Sequence, residues 1–478
     1  MADGPARAEV NACQLSRCDR PALLVQQGAS ASLTDGTISQ CCSGVDISEG
    51  GSASATSVTI LQCDVAFRLD ASASCAMNSC TLDKCSAHAV WAAGSQASAQ
   101  LLKCTLKNSG LNQVVCEAGA SVKLQSCTVL DGACDAVTVA DKGSRVLCTA
   151  CNVTRHAGIA VTACAAGQAS VSSSTISTCR SAFAASGVGS SLSATDGTIS
   201  HCGAALHADD QAAITVSNCS IEDIHQQAAM SASNGASLKV ISCTANDCAE
   251  GSVCLRTGAS ATLEDTETHT SGASSVHADG LGTQLSVKSC RVTGSAGPAL
   301  MCSNAASLTA SSCVLRDLMR AGAICSGAET QLQLEQCQLL RCGSDSIIAE
   351  QSGRVHLREC TVQGSTAGCG LLANGGSIVM SGGSVSATHL STCQLQSGGS
   401  IVCSNTLFQG STAACGALVQ SGCKLDATDA TFTGHACHGV VQAGSSKLHM
   451  TRCRCALSQV STPCHPCVEA AGIVNRAF

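Results

Sequence analysis

The sequence predicts an all-β chain wound as a right-handed parallel solenoid of about 20 rungs, with a period near 23 residues. Three observations carry that expectation. The composition is one of small residues: 45 Gly, 38 Cys, one Trp, five Phe and no Tyr among 478, which excludes a core built on large rings. A mark, one small residue followed two positions later by an apolar one, recurs along the whole chain. Between the turn residues of each period, apolar residues alternate with polar ones, the period-two signature of strands.

Composition also removes whole classes. Hydrophobic residues make up 45% and charged residues 12%, with a mean hydropathy of +0.24, so the chain is not disordered. Glycine is too sparse, and lacks the three-residue period, for collagen. The net charge of −7 is spread without a basic stripe, which gives nucleic acid no footprint. No apolar run approaches the roughly 20 residues that span a bilayer, so no membrane partner is expected.

Cysteine forms the mark at 13, 63, 80, 104, 127, 151, 219, 243, 290, 313, 337, 360 and 453. Gly36, Ser174, Gly197, Glu267, Gly383, Asn405 and Ala430 fill the gaps. These 20 marks leave 19 intervals between 13 and 453, a mean of 440/19, or about 23 residues. The fit is poorest at the third mark, where steps of 27 and 17 suggest an inserted bulge near Ser57 to Gln62. The stretch 119–141 shows the finer pattern. A Gly-Ala turn leads to Val122 and Leu124, then Cys127 and Val129, then an Asp-Gly turn and Val137 and Val139. Two or three short strands per period leave no room for a helical crossover, so equivalent strands stack in parallel and coil right-handedly.

The runs Gly119-Ala-Ser-Val-Lys-Leu-Gln-Ser-Cys-Thr128 and Gly235-Ala-Ser-Leu-Lys-Val-Ile-Ser-Cys-Thr244 resemble the right-handed parallel β-helix repeats of the pectin-lyase-like superfamily. The resemblance spans essentially the whole chain and is one of scaffold. Leucine-rich repeats share the period but put a helix in the second half, where this chain reads Ala136-Val-Thr-Val-Ala-Asp-Lys-Gly143. The division expected is a tail at 1–7, the β-helix at 8–455 and a partial rung or tail at 456–478.

The cysteines read first as a buried ladder of free thiols, since free Cys behaves as a small hydrophobe. Disulfides between rungs would need converging Cβ atoms about 3.8 Å apart, whereas parallel neighbours stand about 4.8 Å apart. Zinc is the third possibility, with Cys453, Cys455, Cys464 and Cys467 as the only dense group of ligand-like spacing. No cofactor is expected.

Enzymes of the superfamily cleave acidic polysaccharides, and the resemblance makes catalysis the sharp hypothesis. Hydrolysis needs two carboxylates about 5 to 9.5 Å apart. The local candidates are His207, Asp209 and Asp210, with His277 and Asp279 three rungs further, about 14 Å away by strand spacing and too far to pair. Glu267 is a further candidate because it falls on a mark that is small elsewhere. The superfamily's Asn-Thr-Asp, Asp-Asp, Gly-His-Gly and Arg-x-Lys set is missing in the required order. The single Trp91 reads as core or loop packing.

The favoured function is therefore a non-enzymatic binding or scaffold rod for a protein or polysaccharide ligand. The alternatives are a polysaccharide lyase or hydrolase, or a degenerate relative, and a substrate-recognition module of an F-box-type ubiquitin ligase. Lacking an apolar leader, the start at Met1 suggests a cytoplasmic chain with reduced thiols. Uncapped terminal rungs suggest end-to-end association.

Overall fold

The structure, a computed structural model, describes residues 6–456. It shows a right-handed parallel solenoid of about 20 turns, with no helix among the described residues. The chain divides into two compact units, residues up to 231 with 235–239, and residues 232–234 with 240 onward.

A turn has three strands. In one turn of the first unit these are Ser121–Gln125, Thr128–Leu130 and Val137–Ala140. Each strand pairs in parallel and in register with its equivalent one turn on, so that Ser98, Ser121 and Arg145 lie side by side. Register forces like onto like. In the first unit Ile38, Ile60, Leu82, Leu106 and Val129 stack in one inward column and are at most 2% exposed. In the second, Leu315, Leu339, Val362 and Val385 continue to Phe408 and Phe432, whose rings stack at 4.7 Å and 9°.

Corners come from single residues in the left-handed region. Ser79, Lys103, Ser126 and Ala150 have φ between 52° and 54° at the bend between first and second strands. Such a conformation costs an L-residue about 1–2 kcal/mol. Stacking offsets it, because the N–H of Lys103 bonds Gln125 O and that of Ser126 bonds Thr149 O, both at 2.9 Å. The next residue is the mark, and its thiol has a task. Cys127 Sγ donates to Leu101 O and Gln125 O, each at 3.4 Å, and Cys337 Sγ to Ala310 O at 3.5 Å and Glu335 O at 3.4 Å. Cysteine thus fills a methyl-sized hole while offering a weak donor to corner carbonyls, which Ala could not do.

The register corrects three marks. Thr59–Leu61 pairs with both Thr37–Ser39 and Thr81–Asp83, so Val58 holds the third mark and no bulge is inserted near Ser57 to Gln62. Cys63 belongs to a second column, five residues past the mark, with Cys41 and Cys85. Glu267 pairs with Thr244 and Arg291 on the outward face, and Thr266, fully buried, takes the mark. Thr406 replaces Asn405, which turns Leu407 outward and Phe408 inward. Two interleaved Cys columns, five residues apart, made the wrong alignment look natural.

That second column also carries His156 and His435, 3% and 2% exposed. His156 lies over Gly132, where any Cβ would collide with its Nδ1. His435 Nδ1 accepts from the Ser411 N–H at 3.2 Å, so this ring is the neutral Nε2–H tautomer. Burial lowers the pKa of both imidazoles.

Three outcomes follow from this packing. Leu339→Ala should cost about 2–5 kcal/mol in chemical denaturation, since a fully buried side chain leaves a cavity between two turns. Because the unfolded imidazoles protonate near pH 6.5 and the buried ones lower, stability should fall as pH drops below about 6.5. Urea midpoints against pH would show it, and His435→Asn should flatten the slope. Alkylation of native protein should label exposed Cys13 and Cys42 quickly, and buried Cys104 and Cys337 only after unfolding. Mass mapping reads the order.

Candidate functional site

The period brings chemistry together on outward columns, where residues 22 to 24 apart become neighbours. In the first unit the third strands place Asp46, Arg68, Trp91, Val115 and Thr138 in one such column. Two residues along, Asp70, Ala93 and Glu117 form the next outward column.

Trp91 is the single tryptophan and is held part-buried on this face. The Arg68 guanidinium lies 4.6 Å from its ring centroid, and its Nε1–H donates to Glu117 Oε1 at 2.8 Å. Arg68 also pairs with Asp70 at 3.3 Å. His88 is tilted by 48° with its ring 6.4 Å from Trp91, and it donates Nδ1–H to Asn112 O at 2.8 Å. The bond to a carbonyl leaves Nε2 as the basic nitrogen. Asp46 accepts from Ser43 Oγ at 2.5 Å. Burial raises its pKa above the usual carboxylate range, against the lowering effects of Ser43 and Arg68, while Asp70 adds to the rise. The face therefore combines a fixed aromatic platform, one guanidinium and three carboxyl groups, Asp46, Asp70 and Glu117.

The same position in the second unit runs Cys254, His277, then aliphatic through Met301, Ile324, Ile348 and Leu372 before Gln394. The first sheet of the first unit offers a shallow concave stretch lined by Gln100, Lys123, Arg145, Leu147 and Gln168.

The residues singled out from sequence are divided between the two units. His207 faces outward in the first unit with Nδ1 2.9 Å from Ser231 Oγ. Asp209 ends the same strand, and Asp210 sits in the following turn with φ 49°. His277 is in the second unit. Its Nε2 lies 3.1 Å from Ser303 Oγ, which donates to Asp279 Oδ1 at 2.7 Å. Burial lowers the His277 pKa. For Asp279 burial works the other way, but hydrogen bonds from Ser303 and Asn304 together with His277 and Arg256 hold it below the usual range. Glu267 meets His269 Nε2 at 3.3 Å and Arg291 at 3.8 Å in an exposed cluster. Cys453 Sγ donates to Ala427 O at 3.3 Å, while Cys464 and Cys467 lie outside the described residues. Among the described residues no group of three or more His, Cys, Asp or Glu is arranged to hold a metal.

Trp91, expected from the sequence as core or loop packing, instead stands on the outward face against Arg68 and Glu117, and the sequence expectation did not include Asp46 and Arg68 for a definite reason. Placing the third mark on Cys63 instead of Val58 put Arg68 five residues out of line with its neighbours. Written with the correct register, the column is visible in the sequence.

The pattern of a right handed beta helix region matches residues 2–129, 43–202, 184–339 and 319–455. The chain belongs to the right-handed β-helix family. Among curated proteins none matches it. Solved structures similar to this β-helix include the Agl-KA catalytic domain, at 10% identity and TM-score 0.39, with 67% of this chain and 59% of that one covered. The chain thus spans less than two thirds of that structure. The PL6 family alginate lyase AlyGC is similar at 6% identity and TM-score 0.29, covering 96% and 98%. The A-module of Azotobacter vinelandii mannuronan C-5 epimerase AlgE6 is similar at 10% identity and TM-score 0.27, covering 77% and 88%. At these identities the likeness is one of fold.

If the Arg68–Trp91–Glu117 arrangement is a fixed platform, Glu117→Ala should free the indole. Expected is a loss of fluorescence anisotropy and a red shift of emission, read without interference because Trp91 is the only tryptophan.

Proposed function

We propose that this β-helix binds a polysaccharide on the outward face of the first unit's third strands, at Asp46, Arg68, Asp70, Trp91 and Glu117. One observation carries the reading. The described phenylalanines Phe67, Phe183, Phe408 and Phe432 are buried, yet Trp91 is kept only part-buried and oriented by two polar partners. Aromatic faces stack on the apolar faces of sugar rings, and carboxylates and guanidinium groups bond the hydroxyls. A straight column with a repeat of about 4.8 Å suits a linear polymer better than a compact ligand.

Cleavage of the glycosidic bond is a second reading, favoured by the raised pKa of Asp46. Asp46, whose carboxyl burial makes harder to ionise, would donate to a leaving oxygen while Asp70, beside Arg68, serves as base or nucleophile.

Trp91→Ala should weaken retention in affinity electrophoresis through immobilised polysaccharide about tenfold, or about 1.4 kcal/mol. Equal retention of variant and parent would overturn the site. For the cleavage reading, Asp46→Asn should abolish turnover; no product from the parent protein would sink it.

A further inference from the structure

We infer that the polymer on the Trp91 face carries ammonium groups, as an amino-sugar polysaccharide does, and not the carboxylates of a uronate. This rests on the reading of that face as a glycan site. The argument is one of charge complementarity at fixed positions.

Around Trp91 the two outward columns present three carboxylates, Asp46, Asp70 and Glu117, and a single guanidinium, Arg68. That guanidinium is already committed, paired with Asp70 at 3.3 Å and laid over the indole at 4.6 Å. On the neighbouring second strands Lys107 is likewise engaged, 3.5 Å from Asp83. The other flank adds Asp135, which accepts from the Ile159 N–H at 2.8 Å and Thr162 Oγ1 at 2.9 Å. It also adds His88, whose Nδ1–H is already donated. Lys123 and Arg145 stand on the other sheet. A uronate chain laid along this column would meet three carboxylates against one guanidinium, which Asp70 already pairs. An ammonium-bearing chain meets acceptors: Glu117 uses only Oε1 toward Trp91, and Asp46 only Oδ1 toward Ser43.

Three oligomers of matched length separate the possibilities: de-acetylated chitosan, its fully acetylated neutral counterpart, and oligogalacturonate. Each is titrated into the full chain while Trp91 emission is followed, so that binding elsewhere on the protein goes unread. The expected order is chitosan tightest, by about tenfold over the acetylated oligomer, with oligogalacturonate producing no change. Added salt should narrow the gap. Glu117→Gln should weaken chitosan several-fold. Asp70→Asn, which releases Arg68, should weaken chitosan and give oligogalacturonate a measurable response. Oligogalacturonate binding as tightly as chitosan would overturn the inference and leave the glycan site standing. So would chitosan no better than its acetylated form. No emission change with any of the three would remove the glycan site and the inference with it.

Discussion

Parallel, in-register hydrogen bonding between successive turns is the constraint from which the rest follows. Once the backbone of each turn pairs with the next, every residue has its own equivalent as neighbour, about 4.8 Å away. A side chain is then chosen for how it stacks on its own kind. Aliphatic residues satisfy this in the columns from Ile38 to Val129 and from Leu315 to Val385. Large rings do so only by lying flat, as Phe408 and Phe432 do. The scarcity of aromatics is a consequence of that geometry.

The corners impose a second demand. A left-handed residue in every turn leaves carbonyls pointing at the interior, where an unmet acceptor costs about 1–3 kcal/mol. The thiols of Cys127, Cys337 and Cys360 reach these carbonyls from the adjacent position. Their abundance follows from that double fit, small volume and a weak donor, repeated in most turns. Burial then pushes other interior thiols such as Cys116 and Cys325 up to about 11, which keeps them neutral at pH 7.

Outside, the same stacking has the opposite effect, because outward columns are free to vary. Three successive turns present Asp46, Arg68 and Trp91, and the register turns residues 22 and 23 apart into a single charged and aromatic surface. In the second unit the identical position became aliphatic at Met301, Ile324 and Ile348. Function on such a scaffold is written in the columns the core does not constrain.

How much of this was legible depended on which face of the coil is asked about. The solenoid, its strands, its period and its thiol interior were readable from the sequence, because the interior repeats itself and a repeat is visible in one dimension. The candidate site was not readable. Its residues occur once each, and only the register aligns them. A register set by Cys63 rather than Val58 shifts Arg68 out of the column. By itself the sequence determined the inward half of the protein, where stacking like on like leaves a periodic trace. Only the tertiary structure decided the outward half, since which unique residues become neighbours there depends on the pairing of one turn with the next.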